Sequence, residues 1–257
     1  MRTVQATRYV TPLREGGSMP GLVEADDDGL YVVKFRGAGQ GLKALIAEVV
    51  VGELARALGL RVPEVVLIEV DPLLAAAEPD PEIQELVQAS GGSNAALDFL
   101  PGALPFSPAT PVGVSPELAA EVVWLDALTA NVDRTPRNPN MLVWHGELWL
   151  IDHGAALYRH HAATWPEGAA AAKFPLIADH VLLPFAGSIL EADERLAPKL
   201  DRATLTAAIA PVPDDWLGGE AAEAAVAREI YVEYFAERLR APRAFAAEAE
   251  EARRERG

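Results

Sequence analysis

The chain has 257 residues, half of them hydrophobic, with 22 Lys and Arg against 38 Asp and Glu for a formal net charge of −16. That length allows one large domain or two lobes with a real core, and the absence of cysteine excludes disulfides, thiolate metal sites and cysteine nucleophiles. Without a basic surface no nucleic-acid partner is expected, without a long apolar run no membrane partner is expected, and the opening MRTVQATRYV, lacking a signal-peptide core, predicts a cytoplasmic location.

Val4 to Tyr9 alternates enough to form a first strand. Gly16-Gly17-Ser18 follows, a small segment whose backbone N–H groups could approach phosphates closely. After Gly29, LYVVKFR is a strand that carries Lys34 among residues of strong β preference. A lysine in such a strand either snorkels to solvent or meets an anion. Gly37 to Gly41 then opens LKALIAEVVVGELARALGL, a helix by the recurrence of Leu45, Val49, Leu54 and Leu58, stopped by Gly59. Glu48 lies among its apolar residues, where an unpaired carboxylate is costly to bury. A Lys34–Glu48 ion pair resolves both problems. The glycines before this helix also leave a second phosphate loop open, although GxxxxGK[ST] is absent.

RVPEVVLIEVD predicts a strand, a short helix begins near Pro81 and stops at Gly91-Gly92, and Asn94 to Leu100 predicts another strand before a Pro/Gly-rich connection. SPELAAEVVWLDALTAN is a helix with Ser115 as N-cap, Pro116 at its first position and Val122, Leu125 and Leu128 as a buried stripe. It delivers the polar cluster NVDRTPRNPN. MLVWHGELWLI then reads as a β-hairpin about His145-Gly146-Glu147, closing on Asp152-His153-Gly154. Pairing the two strands brings Asp133 and the asparagines to the same edge as Asp152. Carboxylates and carboxamides converging there suit a hard cation such as Mg²⁺. Taken singly, such Asp and Asn residues most often cap turns; the ordered set carries the weight.

Beyond Gly154, His160 and His161 are adjacent, so their side chains are expected to diverge and make a poor metal pair. EADERLAPKL and DRATLTAAIA are amphipathic. A last helix from about Glu220 to Leu239 is expected to pack through Ala225, Ile230, Tyr234 and Phe235, and EAEEARRERG reads as a frayed charged tail.

YVVKF, GQGLKALIAEVVVGELARALGLRVPE, NVDRTPRNPNML and LWLIDHG together resemble the HipA-like kinases, in the wider group with phosphatidylinositol 3/4-kinase-type lobes. The resemblance covers roughly Val4 to Gly154. It implies an α+β, two-lobed protein-kinase-like fold, with residues 1–100 a β-rich nucleotide-binding lobe and 101–257 a mainly helical lobe carrying the catalytic loop and metal site. It implies ATP and Mg²⁺ as cofactors and a protein Ser/Thr or a small molecule as acceptor. By position Lys34 would bind phosphate, Glu48 would hold Lys34, Asp133 would orient or deprotonate the acceptor hydroxyl, and Asp152 would bind Mg²⁺. Gly16, Gly17 and Ser18 would lie by the phosphates, and the backbone of Asp98, Phe99 and Leu100 would meet adenine. Counting five residues from Asp133 selects Asn138 as the metal asparagine, whereas counting back from the strand favours Asn140. Toxin activity does not follow from the resemblance. Two other classes compete: a pseudokinase or nucleotide-responsive binding module, which would usually lack one of Lys34, Asp133 or Asp152, and a metal-dependent hydrolase using Asp133, Asp152 and His153, which gives Lys34 and Glu48 no task.

Overall fold

Five strands close a small barrel in the computed structural model, which describes residues 1–13 and 19–256. The strands are β1 (Thr3–Pro12), β2 (Gly21–Ala25), β3 (Leu30–Lys34), β4 (Val65–Val70) and β5 (Gly92–Asp98). Their order is β1-β2-β3-β5-β4, with the parallel pair β4 and β1 closing the ring. β1 is irregular in register between Ala6 and Arg8 and between Tyr9 and Thr11, and such bulges let a long strand curve around a barrel. Val4, Val23, Tyr31, Val33, Val66 and Ile68 fill the interior. Because successive side chains point to opposite faces, Lys34 leaves the barrel on the side away from Val33, paired across the ladder with Ala95.

Helix α1 (Gly41–Leu58) covers that outer face. Its residues are buried almost all round, which marks a helix enclosed on every side, and Gly59 ends it in the left-handed region at φ 91°. The approach to the sheet is close: a Cβ on Gly52 would lie 3.0 Å from Val65. The buried side chains of α1 join a core shared with Ala95, Val65 and the helices that follow, not the barrel interior.

A short helix α2 (Pro81–Gln88) is capped by Asp80, and β6 (Leu104–Pro105) begins a second, three-stranded sheet completed by β7 (Met141–Trp144) and β8 (Glu147–Leu150). Between them runs α3 (Pro116–Thr129), whose N-cap Ser115 accepts the Leu118 N–H at 3.1 Å. β7 and β8 pair from Met141 with Leu150 to Trp144 with Glu147, so the connecting turn is His145-Gly146 alone. Both turn residues have positive φ, 52° and 80°, the backbone that matches the twist of paired strands.

Among the described residues four further α-helices follow: α4 (Ile189–Leu196), α5 (Arg202–Ile209), α6 (Ala221–Arg238) and α7 (Ala244–Arg256). Two expectations change here. Tyr234 and Phe235 of α6 are buried as expected, but Ala225 is exposed and Ile230 only half-buried, while Ala224, Tyr231 and Val232 face the core. The C-terminal stretch is not a frayed tail: in α7, Phe245, Ala246, Ala249 and Ala252 are buried, and the helix packs on α3 and α4. Small side chains let helices approach closely while adding little hydropathy, so the charges around them dominate the sequence pattern. Glu250 of α7 accepts the first N–H of α4, from Ile189, at 2.9 Å. Among the described residues no helix is long and apolar enough to cross a membrane.

Candidate active site

Lys34, at the last position of β3, points at α1, and its ammonium lies 2.7 Å from Oε2 of Glu48. It also donates to Oδ1 of Asp152, just past the end of β8. Glu48 is fully buried and Lys34 is 8% exposed, so the pair is nearly desolvated. Burial by itself would lower the lysine pKa, but the charges of Glu48 and Asp152 outweigh it and hold the amine above its ordinary range. Burial likewise works against the charge of Asp152, yet Lys34 holds that carboxyl below the usual range. Three segments distant in sequence thus meet on one ammonium. The carboxylate of Glu48 has a second duty: its Oε2 accepts the His153 N–H at 2.8 Å, which fixes the Asp-x-Gly segment to α1.

The hairpin register brings the other half of the site to the same place. Ile151 N–H donates to the Asn140 carbonyl at 3.1 Å, so Asn140 lies beside the residue preceding Asp152. Asn140 and Asp152 both have positive φ, 50° and 55°, a conformation Asn and Asp tolerate better than most residues. Asp133 is half-buried in the loop after α3. Its Oδ2 accepts Nδ2 of Asn138 at 2.7 Å and Nδ2 of Asn140 at 3.1 Å. Its own N–H is held by Oδ1 of Asn131 at 3.1 Å. Asp133 Oδ1, by contrast, makes no hydrogen bond among the described residues.

The loop rests on a buried polar network that the sequence reading missed. Asp126, in the last turn of α3, is fully buried, and its Oδ2 accepts Arg134 Nε at 2.5 Å and His180 Nε2 at 2.8 Å. Its Oδ1 takes Nδ2 of Asn131 at 3.0 Å. Burial opposes ionisation of Asp126, but the Arg134 charge and the His180 hydrogen bond hold its carboxyl well below the usual range. Arg134 continues outward to the Asn140 carbonyl and to Nδ1 of His153 at 3.3 Å. As Nη2 donates there, the His153 proton sits on Nε2, an atom buried without a partner among the described residues. Burial, then the adjacent Arg134 charge, push the His153 pKa down to about 3. One guanidinium therefore joins α3, the start of β7 and the end of β8. A local signal existed: Asp126 in VVWLDALT is a carboxylate inside an apolar helix, the pattern that singled out Glu48.

Other candidates fall out differently. Gly16, Gly17 and Ser18 lie outside the described residues, between β1 and β2. Asp98 ends β5 and Phe99 and Leu100 follow it; the N–H of Asp98 donates to the Glu64 carbonyl and that of Phe99 to the Leu30 carbonyl, both at 2.9 Å. The glycines before α1 share a hollow of about 330 Å³ with Glu82 and Glu85, carboxylates that disfavour phosphate. His160 and His161 do not diverge: in a single 3₁₀ turn their Nε2 atoms come within 3.2 Å, with Nδ1 of His160 3.0 Å from the Tyr231 hydroxyl. Among the described residues no group of three or more His, Asp or Glu is arranged to hold a metal unaided.

Comparison with known proteins bears on the fold and the family of the chain. The solved structure of a Helicobacter pylori proinflammatory kinase, CtkA, superimposes with a TM-score of 0.54 at 14% identity, covering 89% of this chain and 94% of that one. The Golgi casein kinase with Mn/ADP bound gives a TM-score of 0.47 at 11% identity over 93% of this chain and 72% of that one. Among curated proteins none matches in sequence. The family model described as HipA-like kinase matches residues 7–244, extending the resemblance through α6 into the start of α7. The chain therefore belongs to the HipA-like kinase family and is a kinase.

Proposed function

We propose that the chain is an ATP- and Mg²⁺-dependent phosphotransferase that moves the γ-phosphoryl group to a hydroxyl of a protein Ser/Thr or small-molecule acceptor. The observation that carries this reading is Lys34 held between Glu48 and Asp152, with Asp133 held by two asparagines at the same end of the β7–β8 hairpin. Residues 1–100 act as the nucleotide-binding lobe and 101–257 as the helical lobe.

Each residue has a task that its surroundings suit. Lys34 keeps its charge despite burial and presents it to the α- and β-phosphates, while Glu48 keeps it from swinging away. The side chain of Asp152 is 36% exposed and only one of its oxygens is engaged by Lys34, so the other remains a hard oxygen donor. The amide nitrogens of Asn138 and Asn140 are turned to Asp133, which leaves their carbonyl oxygens as further donors. Carboxylate and carboxamide oxygens with open positions fit Mg²⁺, which retains waters and phosphate oxygens in its shell. Asn140, beside Ile151, is the better placed of the two. Bound Mg²⁺ would neutralise phosphate charge. Asp133 Oδ1 is free to accept the acceptor hydroxyl's hydrogen bond and then its proton. Since the Asp98 and Phe99 N–H groups are occupied, adenine would meet carbonyls here or the backbone of Leu100.

The test is transfer of labelled γ-phosphate, with and without Mg²⁺, to basic protein and polyol acceptors, alongside nucleotide binding by wild type and Asp152→Asn. Mg²⁺-dependent transfer, and loss of Mg²⁺-dependent binding in Asp152→Asn, support the reading. Binding indifferent to both would remove Asp152 from the metal site.

A further inference from the structure

A groove runs along α6 on the side facing the segment that follows the Asp-x-Gly turn. Its floor is apolar: Val226, Ile230 and Tyr234 from α6, with Pro166 and Ala170 opposite. Val226, in the second turn of α6, is 63% exposed and continuous with the half-buried Ile230 along this floor. The rim is acidic, made by Glu167, Glu229, Glu233 and Glu237. The cavity volume is about 390 Å³, the size of a ligand cleft. From Val226 to Glu237 the groove is about 16 Å long at the α-helical rise, room for three turns of helix or a short extended segment.

The charges favour a cation-bearing occupant. Arg202 already pairs with Glu229 and, at 2.7 Å, with Glu233, in contacts that are more than half exposed. Exposed ion pairs of this kind are weak and exchangeable. Glu167 and Glu237 have no ion-pair partner among the described residues, so the rim stays negative even with Arg202 in place. A second copy of a chain with net charge −16 is a poor match for such a face, and a basic segment is a good one.

The groove is also joined to the catalytic elements. Trp165, next to its wall, lies against Tyr234 with ring centroids 4.9 Å apart, and against Tyr231, whose hydroxyl meets His160. Arg238 of α6 donates to the carbonyls of Ala170 and Ala172 on one side and of Ala127 and Leu128 on the other. The last two end the helix that leads into the Asp133 loop. We propose that this groove docks a basic amphipathic segment of the acceptor protein, apolar residues on the floor and Lys or Arg on the rim. The word acceptor rests on the kinase reading above; the binding itself does not.

The test is fluorescence anisotropy without nucleotide, at about 150 mM salt so that exposed charges are screened beyond ~8 Å. The probe is a synthetic helix with Leu at i, i+3 and i+4 spacing flanked by Lys and Arg. Its controls are a scrambled peptide of equal composition and a version with Glu in place of the cations. Wild type should bind the basic amphipathic peptide about tenfold or more tighter than either control, and both Glu167→Lys with Glu237→Lys and Val226→Asp should lose about tenfold or more. Equal binding of the scrambled peptide, or unchanged binding by these variants, would overturn the proposal. So would a dimer in sedimentation that Val226→Asp dissolves, which would assign the groove to a second copy. Peptide binding by a protein that transfers no phosphate overturns the kinase reading alone; transfer without peptide binding overturns the docking alone.

Discussion

The His153 N–H donates at 2.8 Å to the same Glu48 oxygen that holds the Lys34 ammonium. Glu48 is thus a joint between α1, the barrel strand β3 and the Asp-x-Gly segment, and moving α1 would disturb the lysine and Asp152 together. Its other oxygen is buried without a partner among the described residues, so the joint is held by Oε2 alone.

Removing Glu48 should therefore affect stability as well as chemistry. Glu48→Ala leaves a buried ammonium with only Asp152, and the loss should approach about 3 kcal/mol, the low end for breaking a buried pair. Glu48→Gln can still accept the His153 N–H and should keep more of the stability while weakening nucleotide binding. Urea unfolding and nucleotide titration of both variants check this; an Ala variant as stable as wild type would show that the pair contributes nothing net.

A substitution at Asp133 is the one expected to separate transfer from binding. Asp133→Asn should leave MgATP affinity within a few-fold and lower phosphoryl transfer by about 100-fold or more, the size expected for losing a general base. If Asp133 only caps its loop, Asn serves nearly as well and turnover stays near normal. Loss of nucleotide binding instead would move Asp133 into the metal shell.

The Asp126–Arg134 pair should behave as one unit. Arg134→Met strands a buried carboxylate with His180 and should destabilise by about 3–5 kcal/mol, as should Asp126→Leu. The double variant should be markedly less destabilised than the sum, with a coupling of order 1–3 kcal/mol in a double-mutant cycle. Strict additivity in denaturant melts would contradict the network.

Acid should destabilise the fold well above the carboxylate range. His153 and His160 are both pushed from 6.5 down to about 3, chiefly by burial. The folded state thus keeps them neutral while the unfolded chain takes up protons near 6.5. The stability they contribute is complete above that value and falls as pH drops toward about 3, by about 1.4 kcal/mol per pH unit for each histidine. Unfolding free energies at several pH values between 7 and 5 should show the slope, and His160→Gln should flatten it by about one such increment. The lowered Asp152 and Asp126 add a further loss below the ordinary carboxylate range.

Much of the candidate site was legible because its residues break local patterns. Lys34 in an apolar strand and Glu48 in an apolar helix each need a partner, and strand alternation plus the intervening glycines make them each other's. The His145-Gly146 turn sets the hairpin register, and the register brings Asn140 beside Ile151, the residue before Asp152. Which partner a buried charge takes across many residues was not legible in the same way. Asp126 announces itself as unpaired, but whether Arg134, His180 or both meet it depends on where the chain after β8 returns, 54 residues on. The buried side of α6 and the docking of α7 were likewise decided by packing: an alanine-rich face has little hydropathy of its own and becomes core only when α3 and α4 are there to receive it. Local chemistry singled out the candidate catalytic residues, and tertiary packing chose what holds them, because a charge states its need in one segment while its satisfaction requires the meeting of several.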